Sequence, residues 1–307
     1  MLATMPSDFA HVDKSQQVVS PSSLPRGVIL DRVLKDDPGQ RYYVYLPTTA
    51  NLAQAPVLVA VHGISRNART HVRHYAPLAE QRGIIVVAPR FSKTRFPDYQ
   101  RLGRAGRGAR ADHMLERILA EVGGFTGADV KQPYLFGYSG GGQFVHRYAM
   151  AYPQRVAAIA IGAAGWYTFP DPERRYPYGI KSTPDLPDVH FDAGRFLRIP
   201  ACVLVGEEDD MRDAALRQSD RLDRRQGATR FERGCRWVEA MNAAARVHGL
   251  TAHYRFIALP GADHSFSRSV RHGDMAVRVF DCLFSDGARE NAQSLQSFWV
   301  RRTAALF

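Results

Sequence analysis

The sequence predicts an α/β fold: a mostly parallel central sheet with helices on both faces and a small insertion rich in proline and aromatic residues. Three observations point there. Short apolar runs such as Val57-Leu-Val-Ala-Val61 and Ile84-Ile-Val-Val-Ala88 have the character of strands buried on both faces. Segments of helical spacing lie between such runs, so strand and helix alternate along the chain. With 307 residues, 45% hydrophobic and 23% charged, the chain can bury one sizeable core.

Residues 1–25, with Pro6, Pro21, Pro25 and several serines, read as a loose lead-in, and 26–307 as a single domain. Arg41-Tyr-Tyr-Val-Tyr-Leu46 is aromatic and β-branched and ends at Pro47, which predicts a strand. The run at 57–61 stops at His62-Gly63. A helix follows over 71–81, then a strand over 84–88 closed by Pro89. Met114, Leu115, Ile118 and Leu119 share one side of a helix over 112–122. Tyr134-Leu-Phe136 is a short strand running into a glycine-rich segment. After it, Phe144, Val145, Tyr148 and Ala149 recur at helical spacing until Pro153. Strands over 156–161 and 201–205, a long helix over 230–248, a last strand over 253–259 and a closing helix over 270–284 complete the alternation.

The exception is the stretch from about 166 to 200. Around it stand Pro170, Pro172, Pro177, Pro184, Pro187 and Pro200, and the aromatics Trp166, Tyr167, Phe169, Tyr176 and Tyr178. A long segment without periodicity inside a compact domain is often a functional lid, and it is expected to form a small cap.

Bulk properties exclude some classes. No apolar run approaches the roughly 20 residues needed to cross a bilayer. The first 20 residues mix Pro6, Asp8, His11, Asp13 and Lys14 and lack the apolar core of a secretory signal. The expectation is a cytoplasmic protein, or a secreted one whose leader has been removed. The net charge of +11 could attract nucleic acid or acidic substrates. The arginines are nevertheless spread along the chain among acids. Their densest group, Arg101, Arg104, Arg107 and Arg110, reads as a solvated loop without a nucleic-acid-binding motif. Cys202, Cys235 and Cys282 are odd in number and form no CxxC pair, so all three are expected as free thiols.

Gly137-Tyr138-Ser139-Gly140-Gly141 carries the chemistry. It matches G-x-S-x-G between a strand and a helix, the context that the nucleophile-elbow motif requires. To present a hydroxyl at the end of a sheet the chain must turn sharply, which forces Ser139 into an unfavourable backbone conformation. Gly137 and Gly141 remove Cβ atoms where strand and helix would collide. The helix N-terminus then aims free N–H groups at the reaction centre.

A serine hydroxyl needs a base to take its proton. His264, in Pro260-Gly-Ala-Asp-His264, follows the last predicted strand and so falls at the carboxyl edge of the sheet beside the elbow. His146 belongs to the helix after Ser139 and should point away. His71 and His74 stand at i and i+3 but lack further ligands at a convincing spacing, so no metal is expected. The base in turn needs an acid to fix its tautomer. Gly206-Glu207-Glu208-Asp209-Asp210 follows a strand at the same edge. Asp209 is the chosen acid, Asp210 its rival, Glu207 and Glu208 solvated charges, and Asp213 a helix-start residue. Attack creates an oxyanion, for which the backbone N–H groups of Gly140 and Ile64 are the expected donors. His62, beside Ile64, is expected to hold that loop by hydrogen bonds. Trp166 and Tyr167 are candidate pocket walls.

These segments, in this order, resemble the α/β-hydrolase superfamily over residues 40 to 285. Within it they are most similar to esterases of the polyhydroxybutyrate-depolymerase-like and dienelactone-hydrolase-like groups, which carry similar His-Gly and Gly-x-Ser-x-Gly-Gly segments. Dienelactone hydrolases proper use a cysteine nucleophile, so Ser139 argues against that activity. The resemblance implies a carboxylesterase acting without cofactor on a small-molecule or oligomeric ester, including hydroxyalkanoate oligomers. A peptidase, amidase or acyltransferase would use the same triad, and a non-catalytic binding protein on this scaffold is the alternative of another class.

Overall fold

Among the described residues eight strands form one sheet in the order β1-β2-β4-β3-β5-β6-β7-β8. They are β1 (Ile29–Leu34), β2 (Asp37–Tyr45), β3 (Val57–Val61), β4 (Ile85–Pro89), β5 (Tyr134–Tyr138), β6 (Ile159–Gly162), β7 (Ala201–Gly206) and β8 (Tyr254–Leu259). This computed structural model describes residues 24–251 and 253–284. The lead-in expected over residues 1–25 therefore falls almost wholly outside the described residues, as does 285–307. Strands β3 to β8 pair in parallel, and β2 runs antiparallel to both β1 and β4. The chain is an α/β-hydrolase fold with a mostly parallel sheet.

Burial explains the strand sequences. Every residue of β3, β4 and β7 is buried, because helices lie on both sides. The helices are α1 (Ala68–Arg82), α2 (Ala111–Thr126), α3 (Gly140–Ala151), α4 (Ala193–Phe196), α5 (Asp220–Gln226), α6 (Arg230–Val247), α7 (Phe266–Arg271) and α8 (Met275–Phe284). No helix among the described residues is long and apolar enough to cross a membrane.

Strand order places the site. After β3 the chain moves outward to β4, then crosses back to β5 on the other side of β3. The loops leaving β3 and β5 therefore diverge from adjacent strands, and a crevice opens at their carboxyl ends. His62-Gly63-Ile64 and Ser139 sit at that point.

One strand was not foreseen and two sequence expectations are corrected. The half-exposed β1 carries charged Asp31 and Arg32 at a sheet edge and does not have the apolar signature of a buried strand. The closing helix expected over 270–284 is two helices, broken at Gly273 and at Asp274, whose φ is 49°. A Cβ on Gly273 would approach Leu259 Cβ to 2.8 Å, so the break is where the chain passes close over β8. Cys202 and Cys282, expected as free thiols, are disulfide-bonded across 80 residues with Cα atoms 6.4 Å apart, and Cys235 is free. The bond joins β7 to α8, a pairing that only closure of the fold creates.

The segment between β6 and β7 contains α4 and is pinned to the body by named contacts. Tyr176 Oη donates to Arg101 O at 2.8 Å, Ala105 N to Asp185 Oδ1 at 3.2 Å, and Arg110 pairs with Asp188.

Candidate active site

Ser139 stands between β5 and α3 with φ 52° and ψ −112°, a region that non-glycine residues rarely occupy. Its N–H donates to Gly162 O at 2.7 Å, tying the turn to β6. The flanking glycines are sterically required. A Cβ on Gly137 would lie 2.2 Å from Gly141 O, and one on Gly141 would lie 2.1 Å from Val61 O.

His264 Nε2 lies 3.1 Å from Ser139 Oγ, and its Nδ1 lies 2.8 Å from Asp209 Oδ2. An ionised carboxylate can only accept, so Nδ1 carries the proton and Nε2 is left to accept from the serine hydroxyl. Tyr138 stacks on the imidazole, with ring centroids 5.6 Å apart. Asp209 is buried while Glu207, Glu208 and Asp210 are exposed. The structure thus joins Ser139, His264 and Asp209, and Asp210 takes no part in the chain of bonds.

Gly63 packs on the elbow: a Cβ there would lie 3.5 Å from both Ser139 Cβ and Tyr138 O. Ile64 is close to Gly140, since a Cβ on Gly140 would meet Ile64 Cγ2 at 3.2 Å. Neither the Ile64 N–H nor the Gly140 N–H donates to a protein acceptor among the described residues. His62 is buried; its Nδ1 donates to Gly63 O at 2.8 Å, and its Nε2 accepts from Phe91 N at 3.0 Å. Burial pushes its pKa down to about 4, so it is neutral and bridges two loops.

The cleft at Ser139 has a volume of about 250 Å³, and its walls include Ile64, Gln100, Arg101, Gln143, Trp166 and Arg217. A larger cavity of about 800 Å³ lies between the β6–β7 segment and α5/α6, but contains none of Ser139, Asp209 or His264. Of the two, the smaller one is lined by Ser139. Trp166 lines that cleft. Tyr167 does not, contrary to expectation: it is buried against Trp237 and His146, with ring centroids 5.2 and 5.3 Å away. His146 points away from Ser139, bonded to Gly142 O and Thr168 N. His71 stacks on Phe266 at 4.0 Å, and the described residues contain no cluster of three metal-ligating side chains.

A model of the family described as Esterase PHB depolymerase matches residues 40–244. The chain belongs to that family. A comparison with curated proteins finds no match. Among solved structures it is similar to LpqC, a poly(3-hydroxybutyrate) depolymerase from Bordetella parapertussis, at 26% identity and TM-score 0.68, covering 89% of this chain and 99% of that one. It is also similar in fold to poly(aspartic acid) hydrolase-1 from Sphingomonas sp. KT-1, at 24% identity and TM-score 0.71, covering 83% of this chain and 100% of that one. An S-formylglutathione hydrolase from Agrobacterium tumefaciens shares the fold at 17% identity and TM-score 0.53, covering 82% and 94%. Membership of the PHB depolymerase esterases makes the chain an ester hydrolase.

One member of the site escapes the sequence. Arg230, the first residue of α6, is buried and donates from Nη1 to Asp209 Oδ1 at 3.1 Å and from Nη2 to Asp213 Oδ1 at 2.9 Å. A cation at a helix N-terminus opposes the helix dipole, and no motif marks it. Asp213, expected at a helix start, lies in the loop before α5. It accepts from Ala215 N and Leu216 N, and Arg230 in turn lowers its pKa.

Proposed function

We propose that this chain is a serine carboxylesterase with Ser139 as nucleophile, His264 as general base and Asp209 as the acid that orients it. The continuous hydrogen-bonded chain from Asp209 through His264 to a strained Ser139 carries the reading. Ser139 Oγ attacks the ester carbonyl carbon as its proton passes to His264 Nε2. The oxyanion that forms accepts from the N–H groups of Ile64 and Gly140, which are free for it. As the intermediate collapses, His264 gives its proton to the leaving alcohol and an acyl-enzyme remains. His264 then takes a proton from water, the hydroxide oxygen attacks the acyl carbon, and the acid departs as Ser139 regains its proton. The mechanism uses no cofactor. Trp166 walls the acyl site, and the β6–β7 segment is the cap of a single hydrolase domain. The Cys202–Cys282 bond favours an oxidising compartment, the secreted alternative.

The test is labelling by a fluorophosphonate probe beside initial rates on a p-nitrophenyl ester series from acetate to long acyl chains. Expected is stoichiometric labelling at Ser139 and loss of at least about 1,000-fold in kcat for Ser139→Ala. Unlabelled folded protein would overturn the reading. A dominant rate on the matched amide would replace esterase by amidase.

A further inference from the structure

Three guanidinium groups converge on one indole beside Ser139. The Cζ atoms of Arg101, Arg147 and Arg217 lie 5.4, 4.1 and 5.4 Å from the ring centroid of Trp166. Among the described residues no carboxylate lies within ion-pairing distance of any of the three. Asp98, the acid lining the same cleft, is drawn to Arg107 at 3.4 Å and offsets Arg101 only at longer range. Arg147 is fully buried, bonds Thr168, Gln100 O and Gln143, and has no acceptor for Nη2.

Among the described residues the other two fully buried arginines are neutralised: Arg230 holds Asp209 and Asp213, and Arg233 holds Asp223. The group around Trp166 departs from that pattern. Like charges gathered on one ring repel, and the burial of Arg147 and, in part, Arg101 strengthens the repulsion, while Arg217 is exposed. Burial and then Arg217 hold the Arg101 pKa down, while burial, with Arg101 and Arg217 adding to it, pushes Arg147 down to about 9. Stacking on the indole recovers part of the cost. An anion entering the cleft would relieve the rest, and Arg101 and Arg217 both line the cleft that holds Ser139.

We propose that the substrate carries a carboxylate close to its scissile acyl group, and that Arg101 and Arg217 bind it. This rests on Ser139 being the nucleophile. A guanidinium matches a carboxylate in shape and hydrogen-bond direction, so two of them fix the acyl chain as well as attract it. Arg147, beneath the ring, acts as a positioning residue that holds Trp166 and adds to the field. The substrate class is then a half-ester of a short dicarboxylic acid, or an acyl unit within an acidic oligomer.

The experiment compares kcat/KM for mono(4-nitrophenyl) succinate with that for methyl 4-nitrophenyl succinate, which share a leaving group and differ in one charge. The wild-type enzyme is expected to prefer the anionic ester by at least about tenfold, with the ratio falling as NaCl rises. In an Arg101→Gln/Arg217→Gln double variant, folded by circular dichroism, the ratio drops to near one. Arg104→Gln, exposed and outside the cleft, keeps it. A wild type that labels at Ser139 yet hydrolyses the neutral ester equally well overturns the proposal, and so does a preference indifferent to salt; both arms use unmutated protein. If neither ester is hydrolysed and Ser139 does not label, the esterase reading fails and this proposal falls with it.

Discussion

Arg230 donates to Oδ1 of Asp209 at 3.1 Å while His264 donates to Oδ2 of the same carboxylate at 2.8 Å. The acid is thus held from two sides inside the protein, with no exposed surface of its own side chain. A buried carboxylate bonded through both oxygens is fixed in rotamer, which is the geometry the histidine needs.

Removing Arg230 leaves that carboxylate uncompensated. Arg230→Met is expected to cost about 3–5 kcal/mol of stability and to lower kcat more than it raises KM. Asp209→Asn should lower kcat by about 10,000-fold because the His264 tautomer is lost, and should lower Tm less than Arg230→Met, since Asp213 still pairs with the buried Arg230. Asp210→Asn should leave kcat unchanged. Ester hydrolysis run beside thermal unfolding of the three variants decides these. An active Asp209→Asn protein would reassign the acid.

Two glycine substitutions should diverge in sign. Gly141→Ala puts a Cβ 2.1 Å from Val61 O, against backbone that cannot rotate away, and should cost more than about 3 kcal/mol or prevent folding. Gly124→Ala, within α2, meets nothing within 4 Å and should stabilise by about 0.5–1 kcal/mol through backbone entropy and helix propensity. Denaturant midpoints at constant m-value are the measurement.

Stability should fall on acidification through a window set by buried histidines. Burial pushes His62 from 6.5 to about 4 and holds His71 and His146 well below the usual histidine range. A depressed folded pKa means that the unfolded chain takes up protons first. The contribution is complete above pH 6.5 and is lost as pH falls from there to about 4. For His62 alone the loss amounts to about 3 kcal/mol. Tm recorded across this range at fixed ionic strength should show a plateau above neutrality and a decline below it. A Tm independent of pH over the window would contradict the burial of neutral imidazoles.

The Cys202–Cys282 bond closes a long stretch of chain, and its loss should cost about 2–4 kcal/mol. A reductant, or the paired change Cys202→Ala/Cys282→Ala, should lower Tm without altering the rate on a small ester, because both cysteines lie outside the Ser139 cleft. Mass spectrometry of alkylated protein counts the thiols: one before reduction and three after.

Much of the fold was legible because its signals are local. Val57–Val61 reads as a buried strand from five consecutive apolar residues, and it is β3 without adjustment. The helix expected over 112–122 extends to Ala111–Thr126, and the one over 230–248 is Arg230–Val247, each carrying its apolar face at helical spacing. The lone β1 was not legible, since an edge strand exposed along much of its length has no reason to be uniformly apolar. Nor was the break at Gly273-Asp274 visible, because the sequence on either side keeps helical spacing and the interruption comes from contact with Leu259.

The candidate site divides along the same line. Ser139 and its glycines announce themselves, since a strand-to-helix turn imposes its steric demands within five residues, and His264 and the Gly206–Asp210 loop follow from strand order and sheet polarity. Asp209 was preferred over Asp210 from the sequence, but what the chain closes through space was decided by tertiary structure alone: Arg230 behind Asp209, Cys202 meeting Cys282, Tyr167 turned into the core while Trp166 faces the cleft. Each depends on which side chain points inward after the sheet has twisted and the helices have packed, and neighbouring residues of similar chemistry do not record that choice. The three arginines around Trp166 show the same division most sharply: 46 residues separate Arg101 from Arg147 and 70 more separate that from Arg217, and only the folded chain brings their charges together.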